Sequence, residues 1–191
     1  MSDPDDIRPG AERLYRIAWV LYLALAIAGA VWMGLARGGL ALEQFADPGS
    51  WLLDLLWGLA AGAGLLGLWL AGRALLPMAR ELERSIASLL EGLVPSDALA
   101  LALISAFAEE LFFRGAVQGS WGIVPATVLF ALLHTGPGRP FLLWTLFALV
   151  AGAVFGLLAL HTGNLLAPVV AHLVVNAVNL TRLAARETLE G

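Results

Sequence analysis

The chain lacks cysteine and lysine altogether and is poor in charge of either sign: only 14% of its 191 residues are charged. A soluble domain of this size spends roughly a quarter of its residues on charge. Without cysteine there are no disulfides, thiolate zinc sites or cysteine-ligated iron–sulfur clusters. The mild net charge of −4 offers no cationic surface for a polyanion, so a nucleic-acid partner is excluded. A basic signal-peptide n-region is missing too, because Met1 to Glu12 is acidic. The apolar run behind it has the length of a membrane span, so an uncleaved first helix is expected.

What is present is apolar: 60% hydrophobic residues and a mean hydropathy of +0.83. At about 20 apolar residues per span, the expectation is a single transmembrane domain over residues 1–191, all-α and polytopic, with six membrane helices. Their expected ranges are Ile17–Ala36, Trp51–Gly72, Ala98–Gly115, Trp121–Thr135, Phe141–Leu160 and Asn164–Leu180. Gly58, Gly62, Gly64 and Gly67, and likewise Gly152 and Gly156, suit close helix packing in lipid. Between the second and third spans, Leu82, Ile86, Leu89, Leu90 and Leu93 recur at helical spacing. Arg80, Glu81, Glu83, Arg84 and Glu91 fill the opposite face. Arg73–Val94 therefore reads as an amphipathic interfacial helix, broken at Pro95-Ser96-Asp97, which also offers a cap for the third span.

Orientation follows from arginine. Six spans put Arg8, Arg13, Arg16, Arg73, Arg80, Arg84, Arg139, Arg182 and Arg186 on one side, so both termini are expected in the cytoplasm. Trp19, Trp32, Trp51, Trp69, Trp121 and Trp144 fall near span ends, as an aromatic belt does.

Against this background a few polar residues are out of place. Glu109, Glu110 and Arg114 lie in the third span, His134 in the fourth, and His172 and Asn176 in the sixth. An ionised group at mid-membrane costs upwards of about 2.5 kcal/mol, so such residues face a cavity and are functional candidates. Glu110 and Arg114 are four apart and can pair, while Glu109 lies about 100° round the helix with its carboxylate free. His172 and Asn176, also four apart, share a face. All can converge on one cavity open to the cytoplasm. His161 reads as a solvated loop histidine, and Asp54 as an acid snorkelling to the outer interface.

Three motifs in order carry a resemblance. Glu109-Glu110-Leu111-Phe112-Phe113-Arg114 fits EExxxR, Phe130 to His134 fits FxxxH, and His172 to Asn176 fits HxxxN behind Thr162-Gly163 and Ala167-Pro168. This set resembles the CAAX prenyl endopeptidase and bacteriocin-processing family (CPBP, or Abi) of intramembrane proteases, with the motif core in residues 97–180. The resemblance implies an intramembrane endopeptidase: Glu109 as the base that activates water, His134 as a second catalytic residue, and His172 with Asn176 as the oxyanion hole. Glu110 and Arg114 would support Glu109. The implied partners are the bilayer and a membrane-associated peptide or protein, and the implied location is the inner (plasma) membrane. No cofactor is expected. Glu109, His134 and His172 are also a chemically possible zinc set, but there is no HExxH, and Glu109 would then be a ligand rather than the base. A non-catalytic membrane scaffold or bacteriocin-immunity protein of the same fold stays open, and less so a small transporter.

Overall fold

The computed structural model describes residues 9–40, 44–90 and 92–190, and among these every regular element is helical. The acidic stretch before Pro9 and Glu91 lie outside the described residues, as do the side chains of Arg37 and Arg186. In chain order the helices are α1 (Pro9–Arg37), α2 (Trp51–Leu75), α3 (Pro77–Leu89) and α4 (Pro95–Glu110). A π-helix (Leu111–Gln118), α5 (Gly119–Trp121), α6 (Ile123–Leu133), α7 (Arg139–Thr162) and α8 (Leu166–Glu190) follow.

Four of them, α1, α2, α7 and α8, are long and apolar enough to cross a membrane. Their outer faces stay apolar, with Val20 70% and Leu157 59% exposed, a surface compatible with lipid rather than water. The third expected span is an unbroken helical run from Pro95 to Trp121, interrupted in hydropathy by its own charges. The fourth is shorter than expected. At 11 residues, α6 is about 16 Å long, half of a hydrocarbon core. Gly122 (φ 89°) and Gly138 (φ 90°) bracket the segment that holds it, in backbone conformations that side-chain-bearing residues rarely adopt.

Small residues set the closest approach. An added Cβ at Gly58 would lie 2.6 Å from the Ala167 carbonyl, and one at Gly62 2.9 Å from that of Ala171, so α2 lies directly on α8. Gly64 and Gly67 meet nothing and contribute no such contact. On α1, a Cβ at Gly29 would come within 3.0 Å of the Phe112 backbone, and Met33 packs over Gly115, fixing α1 against the π-helix. The α8 helix begins where Asn164 Oδ1 accepts from the Leu166 amide at 2.9 Å. Pro168 sits in this first turn, so it starts the helix without kinking it.

The interfacial helix departs from its expected pattern. Glu83 is buried, whereas Leu89 is 58% exposed. Glu83 turns inward because three donors wait there: Trp69 Nε1 at 3.2 Å, Arg73 Nε at 2.7 Å and the Arg182 guanidinium. Trp69 is accordingly a buried residue, not part of an exposed belt. Pro95 opens α4 without a side-chain cap, so the expected Ser96–Asp97 cap is not used. Asp54 does not snorkel. It is buried and accepts from Asn164 Nδ2 at 2.8 Å and Ser50 Oγ at 2.9 Å, tying α2 to the start of α8.

Candidate active site

The EExxxR residues span the junction where α4 widens into the π-helix. Such i→i+5 stretches are rare and concentrate at functional sites. Glu109 and Glu110 close the α-helix, and Arg114 and Gln118 follow on the π turns. Arg114 Nη1 donates to Glu110 Oε1 at 3.0 Å, and its Nη2 to the Gly152 carbonyl at 3.0 Å. Gln118 repeats the bridge one step along, Nε2 donating to the Gly156 carbonyl at 2.9 Å. Gly152 and Gly156 serve here by exposing carbonyls; a Cβ at Gly156 would stand 2.8 Å from Gln118 Oε1. Phe130, Phe155 and Phe113 surround the guanidinium, with the Phe130 centroid 4.4 Å from Cζ. A buried arginine is tolerated on these terms: a carboxylate, a carbonyl and aromatic faces.

Glu110 is fully buried and takes a second donor, His172 Nδ1 at 2.7 Å. Its link therefore runs to the histidine and the arginine. The His172 ring is stacked on Phe155 at 4.9 Å between centroids, which fixes its plane.

His134 ends α6. Its Nδ1 is 2.7 Å from the Phe130 carbonyl, an acceptor only, so Nδ1 carries a proton. Thr145 Oγ1 holds the backbone in place by donating to the His134 carbonyl at 2.9 Å. The Nε2 atoms of both histidines then point at one carboxylate oxygen: Glu109 Oε2 is 3.6 Å from His134 Nε2 and 4.0 Å from His172 Nε2. These distances exceed a hydrogen bond, and Glu109 Oε2, though buried, has no hydrogen-bond partner. Acceptors facing one another across such a gap are satisfied by a shared proton or a bridging water. Among the described residues, no group of three or more His, Asp or Glu side chains is arranged to hold a metal ion.

Asn176 lies further along α8, where Nδ2 donates to Ser105 Oγ of α4 at 3.0 Å. It is joined to Glu109, His134 and His172 by a cavity of about 380 Å³ that also reaches Tyr22, Ser105, Asn179, Glu83 and Arg182. All six motif residues are thus brought together, four on the cavity and two, Glu110 and Arg114, directly behind it. His161 is exposed, its ring edge-on to Trp57 at 5.2 Å, and takes no part. Two residues on the cavity had no sequence signal of their own. Tyr22 lines the cavity with Glu109, yet stands alone as a hydroxyl in an uncharged span. Ser105 holds Asn176 across a separation of 71 residues.

Comparison with known proteins finds a family match over the segment that carries the motifs. Residues 92–178 match the family described as Type II CAAX prenyl endopeptidase Rce1-like. That segment holds every motif residue of the cluster. A Bacillus subtilis (strain 168) protein, YpbD, whose own role is uncharacterised, is 42% identical over 80 residues, 41% of each chain. The chain therefore spans about two fifths of the length of that relative. No solved structure matches.

Proposed function

We propose that this chain is an intramembrane endopeptidase in which Glu109 activates water against a peptide bond of a membrane-associated substrate. The observation that carries the reading is the partnerless Glu109 Oε2 facing two imidazole Nε2 atoms inside one cavity. Water held between Glu109 Oε2 and His134 Nε2 gives its proton to Glu109, and the hydroxide adds to the scissile carbonyl carbon. The carbonyl π electrons move to oxygen. A proton on His172 Nε2 makes that nitrogen a donor to the oxyanion. An Asn176 N–H is the second donor. When the C–N bond breaks, Glu109 returns its proton to the leaving amine, and the oxyanion collapses to a carboxyl group. Glu110 sets the His172 ring by holding Nδ1, and Arg114 fixes Glu110 by donating to the same oxygen.

In this reading the chain crosses the inner (plasma) membrane six times with both termini in the cytoplasm, α6 entering as a short helix. The cavity volume falls within the range that holds a small ligand or a few peptide residues. The test is mass spectrometry of membranes from cells carrying the wild type or Glu109→Ala. A peptide that accumulates uncut in the variant, and is then cut by the purified wild-type chain in vesicles, supports the proposal. Full phenotypic rescue by Glu109→Gln would instead mark a non-catalytic scaffold.

A further inference from the structure

Two polar rungs join α4 to α8 across the cavity. Along α4, Ser105 lies one turn before Glu109, and along α8, Asn176 lies one turn beyond His172. Glu109 Oε2 stands 4.0 Å from His172 Nε2, and Asn176 Nδ2 donates to Ser105 Oγ at 3.0 Å. The helices therefore run antiparallel, with the carboxylate on one rung and the amide on the next, about 6 Å along the axis. All four side chains line the same cavity. Ser105 is buried, and its Oγ donates to the Ala102 carbonyl of its own helix at 3.2 Å. A hydroxyl has one hydrogen, and a carbonyl only accepts. With that hydrogen committed, Ser105 Oγ offers lone pairs alone, and Asn176 must meet it with Nδ2 rather than Oδ1.

We propose that Ser105 is the positioning residue for Asn176, fixing its amide so that an N–H, not the carbonyl oxygen, faces the oxyanion. This rests on the protease reading for its purpose, but not for its geometry. The amide of an unrestrained asparagine turns readily about its terminal bond. Turned over, Asn176 would set Oδ1, an acceptor, against developing negative charge. Ser105 holds one Nδ2 hydrogen, which leaves the second for the oxyanion between Asn176 and His172. A donor oriented beforehand needs no reorganisation when the charge develops. An interhelical hydrogen bond that only packed α4 on α8 would add stability and leave turnover of the folded chain unchanged.

The chain has three asparagines, Asn164, Asn176 and Asn179, which makes the contact observable. With ¹⁵N in the asparagine side chains, NMR of the full chain in lipid nanodiscs reads their amides, and Asn176→Ala marks the Asn176 signal. Ser105→Ala is expected to move that signal and to lower kcat about tenfold, with KM within about twofold. Where Ser105→Ala does not fold, Ser105→Cys, whose sulfur is a weaker acceptor, is read instead, with a smaller change in the same direction. In an Asn176→Ala background the Ser105 substitution is expected to cost no further activity, because its effect runs through the amide. An unmoved signal overturns the proposal, as does a moved signal with wild-type kcat. A full loss repeated in the Asn176→Ala background overturns it too. If the wild type cuts nothing, the protease reading falls and the signal alone decides whether Ser105 holds Asn176.

Discussion

Two buried glutamates lie on the same cavity and are treated in opposite ways. Glu83, at the α3 end, receives Trp69, Arg73 and Arg182. Glu109, at the motif end, keeps one oxygen without a hydrogen-bond partner. Burying a charge is expensive unless it is paired, so the saturated glutamate reads as a fastener joining α3 to α2 and α8. The unsaturated one is retained for something other than stability. Glu110 belongs with Glu83 in this respect, since Arg114 and His172 both reach it. What separates the working carboxylate from its neighbour in sequence is the donors left over for it.

The contrast can be broken by exchanging the two losses. Glu109→Gln is expected to lower peptide cleavage by about 10³-fold while the melting temperature in detergent holds or rises. Arg114→Met leaves Glu110 buried without its counter-charge and is expected to cost about 3–5 kcal/mol, read as loss of folded protein on heating. Glu83→Gln is expected to do the reverse of Glu109→Gln: turnover persists where the chain is folded, and stability falls by about 2 kcal/mol.

Acid sharpens the same point. Burial alone would raise the Glu83 carboxyl, but hydrogen bonds from Arg73 and Arg182, and their charges, outweigh it and hold it below the usual carboxylate range. A depressed folded value means the contribution is complete above about pH 4.3, the ordinary glutamate value, and is lost as pH falls through the lower folded value. Melting in a pH series should show that acid loss in the wild type, and a smaller one in Glu83→Gln. The smallest effect is steric. Gly58→Ala pushes a methyl against the Ala167 carbonyl, which cannot give way, and is expected to cost about 1–2 kcal/mol. Gly64→Ala meets nothing and is expected to be neutral or slightly stabilising.

The difference between the glutamates also explains what was legible in the sequence. Glu109, Glu110, Arg114, His134, His172 and Asn176 stood out because charge and imidazole are costly inside apolar runs, and four-residue spacings gave them faces. Glu83 was hidden for the converse reason. On an amphipathic helix an acid looks like ordinary polar surface, and its partner Arg182 is 99 residues away. Tyr22 was hidden because a phenol is apolar enough to sit unremarked in a span, and the cavity it lines is formed with other helices. The order and apolar character of the helices were readable, but the shortness of α6 was not. Its flanking Gly122 and Gly138 mark turns only once their positive φ is seen. The π-helix carries no spacing signature, since it depends on packing: Arg114 and Gln118 each reach a glycine carbonyl on α7.

The central claim is that Glu109 activates water for direct attack on a peptide bond. The most direct test is a single-turnover cleavage by the purified full chain in lipid nanodiscs, run in ¹⁸O-labelled water with a peptide identified from the Glu109→Ala membranes. The account predicts one ¹⁸O in the new C-terminal carboxyl of the wild-type product and no product above background from Glu109→Gln. Labelled product formed at the wild-type rate by Glu109→Gln would contradict it.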